Sequence, residues 1–465
     1  MLKTILKREI QHNLYSLRFM ISLTLVLGVF IAGALSFVRN HQAALEKDRV
    51  ARTEFVDKMK ADAALNATVL AVTRRDYPLR PRDNGFISDA KEKYLPNEVT
   101  FSAWNVFSFR SRSGTVNPFL TKHDELNWSF IVGLIVSFVA LLFTFDAVSG
   151  EKESKTLALE LSNSVSRGTL LFGKYLSAIV SILFVVVPGV LLSLLIILVF
   201  GRAQFTPTLA AETAGFLLAA VLMAASFAAF GLLSSVLARN ANVSLLMALS
   251  FWLLFAIVIP NSSAFIAKRF YPIESSETVQ AKVNAALEDL SKNAPPGSWS
   301  MRYSNPFMPL HELRANLQRK RLQADKEIRD AYYRDMFRQF ERARFLVALS
   351  PMADFEYLTE AVVGGGYLRF SKVWDDLHIY QEQLLAFFQA LDARDANSPH
   401  WYNPNEDVST TRKPVAFEEV PAFQEKPMSF ADRLSSSFKY LIVNIVFIAV
   451  IYALSFLLFV RYDVR

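Results

Sequence analysis

The 465-residue chain has no cysteine, so disulfides, thiolate metal centres and cysteine nucleophiles are excluded. Its six histidines are scattered, without HExxH or any other metal-binding spacing. GxSxG is absent, and His311, His378 and His400 stand isolated in polar sequence. No catalytic set emerges, so an enzyme is not expected, and neither a metal nor a cofactor is expected on this chain. Charge is scarce as well. Only 20% of residues are Asp, Glu, Lys or Arg against 52% apolar, too lean for a soluble protein of this length. The formal net charge of +7 lies in the flanks of the apolar runs and in the polar blocks, and basic residues beside such runs report topology and lipid headgroups and not nucleic acid.

What is present is a series of long apolar runs. A spanning helix needs about 20 predominantly apolar residues. Six runs qualify: 19–38, 128–145, 175–200, 214–236, 243–259 and 440–460. The first exceeds the length of a signal-peptide core and is read as a retained span. Pro188-Gly189 predicts a kink in the third, and Pro260 ends the fifth. None of the six carries an ionisable residue at depth, which argues against a proton-coupled transporter and a charge-lined channel. Asn444 is the most polar residue inside a span and is read as a packing contact. Gly28-x-x-x-Ala32 and the Ala-rich stretch 219–231 read as sites of close helix approach.

Basic residues fix the orientation. Lys3, Lys7, Arg8 and Arg18 precede the first span, and Lys152, Lys155, Arg167 and Lys174 lie between the second and third. Arg239 and the tail 461–465 fall on the same side, so both termini are expected in the cytoplasm. Blocks 39–127 and 263–436 are then extracytoplasmic, and the expected location is a bacterial inner membrane. Residues 1–18 space Leu2, Leu6, Ile10, Leu14 and Leu17 at helical intervals, the pattern of an interfacial amphipathic helix. The fold class expected is an all-α membrane protein. It has six transmembrane helices, the N-terminal interfacial helix and a large, mainly helical ectodomain.

In the second block, apolar periodicity predicts helices over 277–290, 310–349 and 375–391. Trp374, Tyr380, Phe387, Phe388, Trp401 and Tyr402 read as core and not as a substrate site. Gly364–Gly366 reads as a turn between two helices, and 397–427 as an extended lid or linker.

The one substantial loop on the cytoplasmic side is 146–174. Ser149 and Gly150 are placed to cap a helix, with Glu151 and Glu153 in its first turn, where the helix dipole favours acids. Leu157 and Leu161 share a face, so a short helix with an apolar patch could fit a groove on a cytoplasmic partner. Ser166 is a second cap. The stretch GTLLFGKY, Gly168 to Tyr175, nearly matches a P-loop, with Tyr175 in place of the small magnesium-binding hydroxyl. A working P-loop follows a buried strand, whereas this one follows a polar loop and runs into a span. Lys174 is therefore read as a headgroup anchor.

These residues carry a resemblance. Asp146, Glu151, Glu153, Thr156 and Leu157, followed by Val165-Ser166-Arg167 and Leu171 to Tyr175, look like the permease subunits of ABC-2 type transporters. The family pattern often has Gly where Lys155 stands and Pro where Ser164 stands. Residues 348–370 are similar to a segment of a subgroup with large extracytoplasmic domains. The resemblance implies two permeases side by side, identical or paralogous, in contact with membrane lipids. Each docks on a separate cytoplasmic ABC ATPase subunit, which holds the ATP and magnesium. Asp146, Gly150, Glu151, Glu153, Thr156, Leu157, Leu161 and Arg167 would couple the two subunits. Export is the outcome implied. The alternative is a mechanotransmitter, which uses the same coupling to move its ectodomain and control a periplasmic partner. A third reading, an uncoupled receptor or scaffold, requires no ATPase.

Overall fold

The structure, a computed structural model, describes residues 2–92, 95–103, 105–110, 126–162, 165–201, 203–296, 309–396 and 413–462. Trp401, Tyr402, His400 and most of the expected lid lie outside them. Two helices open the chain. α1 (Leu2–Leu14) gives way at Tyr15-Ser16 to α2 (Leu17–Leu65), whose first turn is capped by Ser16 Oγ accepting from Phe19 N at 3.2 Å. α2 does not stop at the end of the apolar run. Residues 39–65 contain no Gly or Pro and are rich in Ala, Glu, Lys and Arg, so nothing ends the helix. Its 49 residues make a rod of about 74 Å. Asn66 ends it and caps α3 (Ala67–Val72), accepting from Val69 N at 2.8 Å.

Three short strands follow, β1 (Arg75–Pro78), β2 (Glu98–Ser102) and β3 (Asn105–Arg110). They form an antiparallel sheet in the order β1-β2-β3, with Tyr77 opposite Val99 and Val99 opposite Phe109. The remaining elements are helical. α4 (Trp128–Leu142) is π-wound over Ile131–Val136. α5 (Ser149–Glu153) and α6 (Leu157–Ser162) are short. α7 (Arg167–Phe200), α8 (Pro207–Leu237) and α9 (Ala241–Asn261) are long and apolar. α10 (Ser263–Phe270), α11 (Ser276–Lys292), α12 (Pro309–Val347), α13 (Pro351–Val363) and α14 (Gly366–Ala393) carry the second polar block. α15 (Phe430–Arg461) closes the chain.

Among the described residues, five helices are long and apolar enough to cross a membrane: α2, α7, α8, α9 and α15. α4, at the position of the second expected span, is apolar but shorter. α7 starts at Arg167 and not at residue 175, because Ser166 caps it there, accepting from Thr169 N at 3.1 Å.

α8 is the central helix. Its Ala-rich stretch is buried on every side, as expected of a helix without a polar face. α2 packs on α7 through a different glycine from the one the spacing suggests. Gly28 faces open space, whereas a Cβ on Gly189 would lie 2.6 Å from the Phe30 ring. Polar bonds between side chains also tie the spans together. Trp128 Nε1 donates to Ser193 Oγ at 2.7 Å, and Ser226 Oγ donates to Asn444 Oδ1 at 3.3 Å.

One end of this bundle carries α1, α5 and α6 and is called basal. At the other, distal end the two polar blocks meet. The last turns of α2, the sheet, α14 and the segment around Phe423 share one core of Phe55, Tyr77, Phe101, Tyr380 and Phe423. Trp374, Tyr380 and Phe388 are buried there or beside it, as core residues. α13 is different. It leaves this domain and packs on α8 and α15 among the spans, so residues 351–363 belong with the bundle and not with the outer block. It ends at Gly364, whose φ of 65° is a left-handed cap suited to glycine. A buried ion pair closes the joint, with Arg433 Nη1 3.2 Å from Glu212 Oε1 and donating to Val362 O at 3.1 Å.

Candidate functional site

The basal loop between α4 and α7 concentrates the charge of its end of the bundle, and its geometry starts with how its backbone is held. α5 has no side-chain cap of its own. Ser235 of α8 supplies it instead, its Oγ accepting from Val148 N at 2.8 Å and Ser149 N at 2.9 Å. Ser149, expected as the cap, is the first helical residue, and its Oγ donates to Phe145 O at 2.9 Å. Gly150 N donates to Asp146 O at 2.9 Å. Lys155 then turns the chain with a φ of 59°, a conformation that costs an L residue about 1–2 kcal/mol. The resemblance puts glycine at this position. Thr156 N returns to Glu151 O at 3.0 Å, and Thr156 O accepts from Glu160 N to start α6.

Apart from Lys155, whose side chain is exposed, the charged side chains of the loop reach out to different helices. Asp146 pairs with Arg18 of α2 at 2.7 Å. Lys152 Nζ donates to Val236 O at 2.5 Å and Ala238 O at 3.0 Å, filling orphan carbonyls at the end of α8. Glu153 Oε2 accepts from Ala241 N at 3.0 Å, at the start of α9. Arg167 Nη1 donates to Val460 O and Tyr462 O, both at 2.8 Å, at the end of α15. Glu160 takes Arg8 of α1 at 2.5 Å. Leu157 is buried against Val148, Leu171 and Tyr175, and Leu161 packs on the same cluster. The apolar patch expected to face a partner therefore faces inward. Ser154, Lys155, Thr156, Ala158, Leu159 and Ser162 form the exposed side, and Leu159 is 70% exposed.

The focus of the site is a residue the spacing assigned elsewhere. Lys174 is no headgroup anchor. It is buried, and its ammonium pairs with Glu151, with Glu9 at 3.3 Å and with Glu160 at 4.0 Å. One cation thus joins α1, α5, α6 and α7. Burial pushes the Glu151 carboxyl up to about 7, against the pull of Lys174. Burial acts on Glu160 too, but Lys174 and the Arg8 hydrogen bond outweigh it and hold that carboxyl below its ordinary value. Glu151 Oε2 and Glu160 Oε2 are both buried without a hydrogen-bond partner. A proton on Glu151 gives one of them a donor to offer the other. Burial also pushes the Lys152 ammonium down to about 8.

Glu9, Glu151 and Glu160 come close enough to one another to hold a metal ion. The Lys174 ammonium already stands among them and supplies the positive charge. The P-loop-like stretch Gly168–Tyr175 lies wholly inside α7, with Tyr175 Oη donating to Ala225 O at 2.9 Å. Helical backbone presents no nest of N–H groups to a phosphate. Sequence spacing missed Lys174, Glu9, Glu160 and Ser235. The available signal was an acid in each amphipathic segment, Glu9 and Glu160, with a lysine one turn beyond the Leu170-Leu171 pair that packs inward.

A family model described as ABC-2 family transporter protein matches residues 3–464. No curated protein matches the chain. The match covers the basal loop, all the apolar helices and the distal domain together, so the assignment rests on the whole architecture and not on the loop motif alone. The chain belongs to the ABC-2 family of transporter proteins, as a multi-pass membrane permease.

Proposed function

We propose that this permease is the membrane subunit of an ATP-driven exporter, and that a separate ATPase subunit drives it through the basal loop. One observation carries the reading. The loop's charged residues end on α1, α2, α7, α8, α9 and α15. A push on such a loop moves every attached helix end at once. In this reading the basal end is cytoplasmic, as its many Lys and Arg residues favour. Contact with the ATPase falls on the exposed side, around Lys155 and Leu159, while Glu151, Leu157 and Arg167 transmit force inside the permease. ATP and magnesium belong to the partner, and a second permease completes the assembly.

The unbroken α2 favours a second reading. The same rod lines the span bundle and reaches the core of the distal domain. Motion at the base is then delivered to the distal domain without carriage of a substrate, as a mechanotransmitter acting on a periplasmic partner.

The test is co-purification from mild detergent. Leu159→Asp with Lys155→Glu should release the ATPase subunit and leave the permease folded. Retention of a fully active ATPase by this variant would remove the loop from the contact. Absence of any ATPase subunit from the wild-type preparation would favour a scaffold.

A further inference from the structure

The distal domain has a feature that the transport reading does not use. α10 leaves the bundle immediately after α9, and α12 returns to it at Ser350, where Ser350 Oγ donates to Phe255 O inside α9. The two run antiparallel. Gln339 Nε2 donates to Tyr271 O at 2.6 Å and to Ala267 O at 3.4 Å, and the Arg342 guanidinium lies 5.3 Å from the Tyr271 ring centroid. Residues 339–342 are therefore level with the end of α10, and residues 345–349 lie deeper, toward the apolar part of α9.

Along both elements exposed apolar side chains lie at the end nearest α9 and cations follow farther out, with Phe270, 63% exposed, beside the cations in the last turn of α10. Arg338, Arg342 and Phe345 follow one another on one face of α12, and Leu349 sits in the turn after it. On α10, Phe265 precedes Lys268 and Arg269 of the last turn. Phe265, Phe345 and Leu349 are 70%, 59% and 66% exposed, yet they stand at or near the level of a spanning helix. Lys268, Arg269 and Arg342 are exposed and pair with no carboxylate among the described residues.

We propose that α10 and the end of α12 sink into the distal leaflet, and that Lys268, Arg269 and Arg342 form a collar that binds anionic phospholipid headgroups. Apolar side chains below and cations above is the arrangement that long basic side chains adopt at a membrane boundary. Continuity with α9 fixes the depth, and the uncompensated charge selects the headgroup. The inference does not depend on coupling to an ATPase, or on which leaflet is the distal one.

The cysteine-free chain permits a direct test in nanodiscs made of equal parts phosphatidylcholine and phosphatidylglycerol. Single cysteines at Phe265, Phe345 and Leu349 would carry a fluorophore, with Ala285→Cys on α11 as the control. Doxyl groups on the acyl chains should quench the first three, and an aqueous nickel chelate should quench the control. Quenching of all four by the chelate would overturn the insertion. Protection of the three from both quenchers would also overturn it, because a second copy of the chain would then cover the face. For the collar, native mass spectrometry should show phosphatidylglycerol retained over phosphatidylcholine. Neutralising Lys268, Arg269 and Arg342 to Gln should lower that preference by about fivefold per lost cation. Lys268→Arg, Arg269→Lys and Arg342→Lys together should keep it. An unchanged preference in the Gln variant would overturn the collar.

Discussion

Glu151 and Lys174 are paired at the base of the bundle, the carboxylate from α5 and the ammonium from within the first turns of α7. Both are largely buried, and Lys174 is the only cation directly facing both Glu151 and Glu9 among the ion pairs of the described residues. An ion pair withdrawn from water adds little net stability, but breaking it is costly, because the remaining charge stays buried.

Lys174→Met should therefore destabilise the protein by roughly 3–5 kcal/mol, since it leaves three carboxylates facing one another. Thermal unfolding in detergent reads this directly. Adding Glu151→Gln and Glu160→Gln to the same chain should recover a large part of the loss. A single variant as stable as wild type would show that the cluster is not under charge stress. For the same reason, lysine at Glu151 would damage the fold and could not by itself identify a docking residue.

The pair also sets a pH dependence. Glu151 moves from 4.5 in the unfolded chain to about 7 in the folded one, so the folded state binds more protons in between. Its contribution to stability is complete below 4.5 and is lost as pH rises to about 7. The depressed Glu160 contributes in the opposite sense, and its loss falls below 4.5. Lys152, shifted down to about 8, changes above the window. Melting temperature should thus fall between pH 5 and pH 7 more steeply in wild type than in Glu151→Gln. Equal slopes would mean that Glu151 ionises as an exposed glutamate does.

Much of this molecule is legible in its sequence, and the limits have physical causes. Apolar runs locate the spans because a spanning helix has no other way to satisfy its backbone. They do not locate helix ends, which depend on caps: Ser166 starts α7 early, and α2 runs on through helix-forming polar residues. The small sheet escapes notice because Tyr77, Val99 and Phe101 belong to strands of four and five residues. At the site, Asp146, Glu153 and Arg167 were picked out by a motif, but what they touch was not. Their partners on α2, α9 and α15 are far away in sequence. The position of Lys174 beside a span suits a headgroup anchor equally well, so spacing does not separate the two roles. Only the packing of α1 against α7 brings Glu9 to it.

Lys155 offers a test of strain at the same loop. Its φ of 59° costs an L residue about 1–2 kcal/mol, whereas glycine adopts it freely. Part of the gain is lost to the greater freedom of glycine in the unfolded chain, so Lys155→Gly should stabilise the protein by roughly 0.5–1 kcal/mol. Lys155→Ala keeps the strain and should give no such gain. If both variants melt together, the turn is not held in the left-handed region.

The orientation proposed for the bundle can be fixed with two positions. Ser154 is exposed on the basal loop, and Ala285 is exposed on α11 of the distal domain. Neither side chain supports a neighbouring element, except that Ser154 Oγ bonds within its own turn to Gly150 O and Thr156. In cells with a permeabilised outer layer, an impermeant thiol reagent should label Ala285→Cys and spare Ser154→Cys. Disruption of the inner membrane should then expose Ser154→Cys. The opposite pattern would put the basal loop outside the cell, where no ATP-driven partner could reach it. Every role assigned to Lys155, Leu159 and the charges behind them would then have to be carried by an extracellular contact.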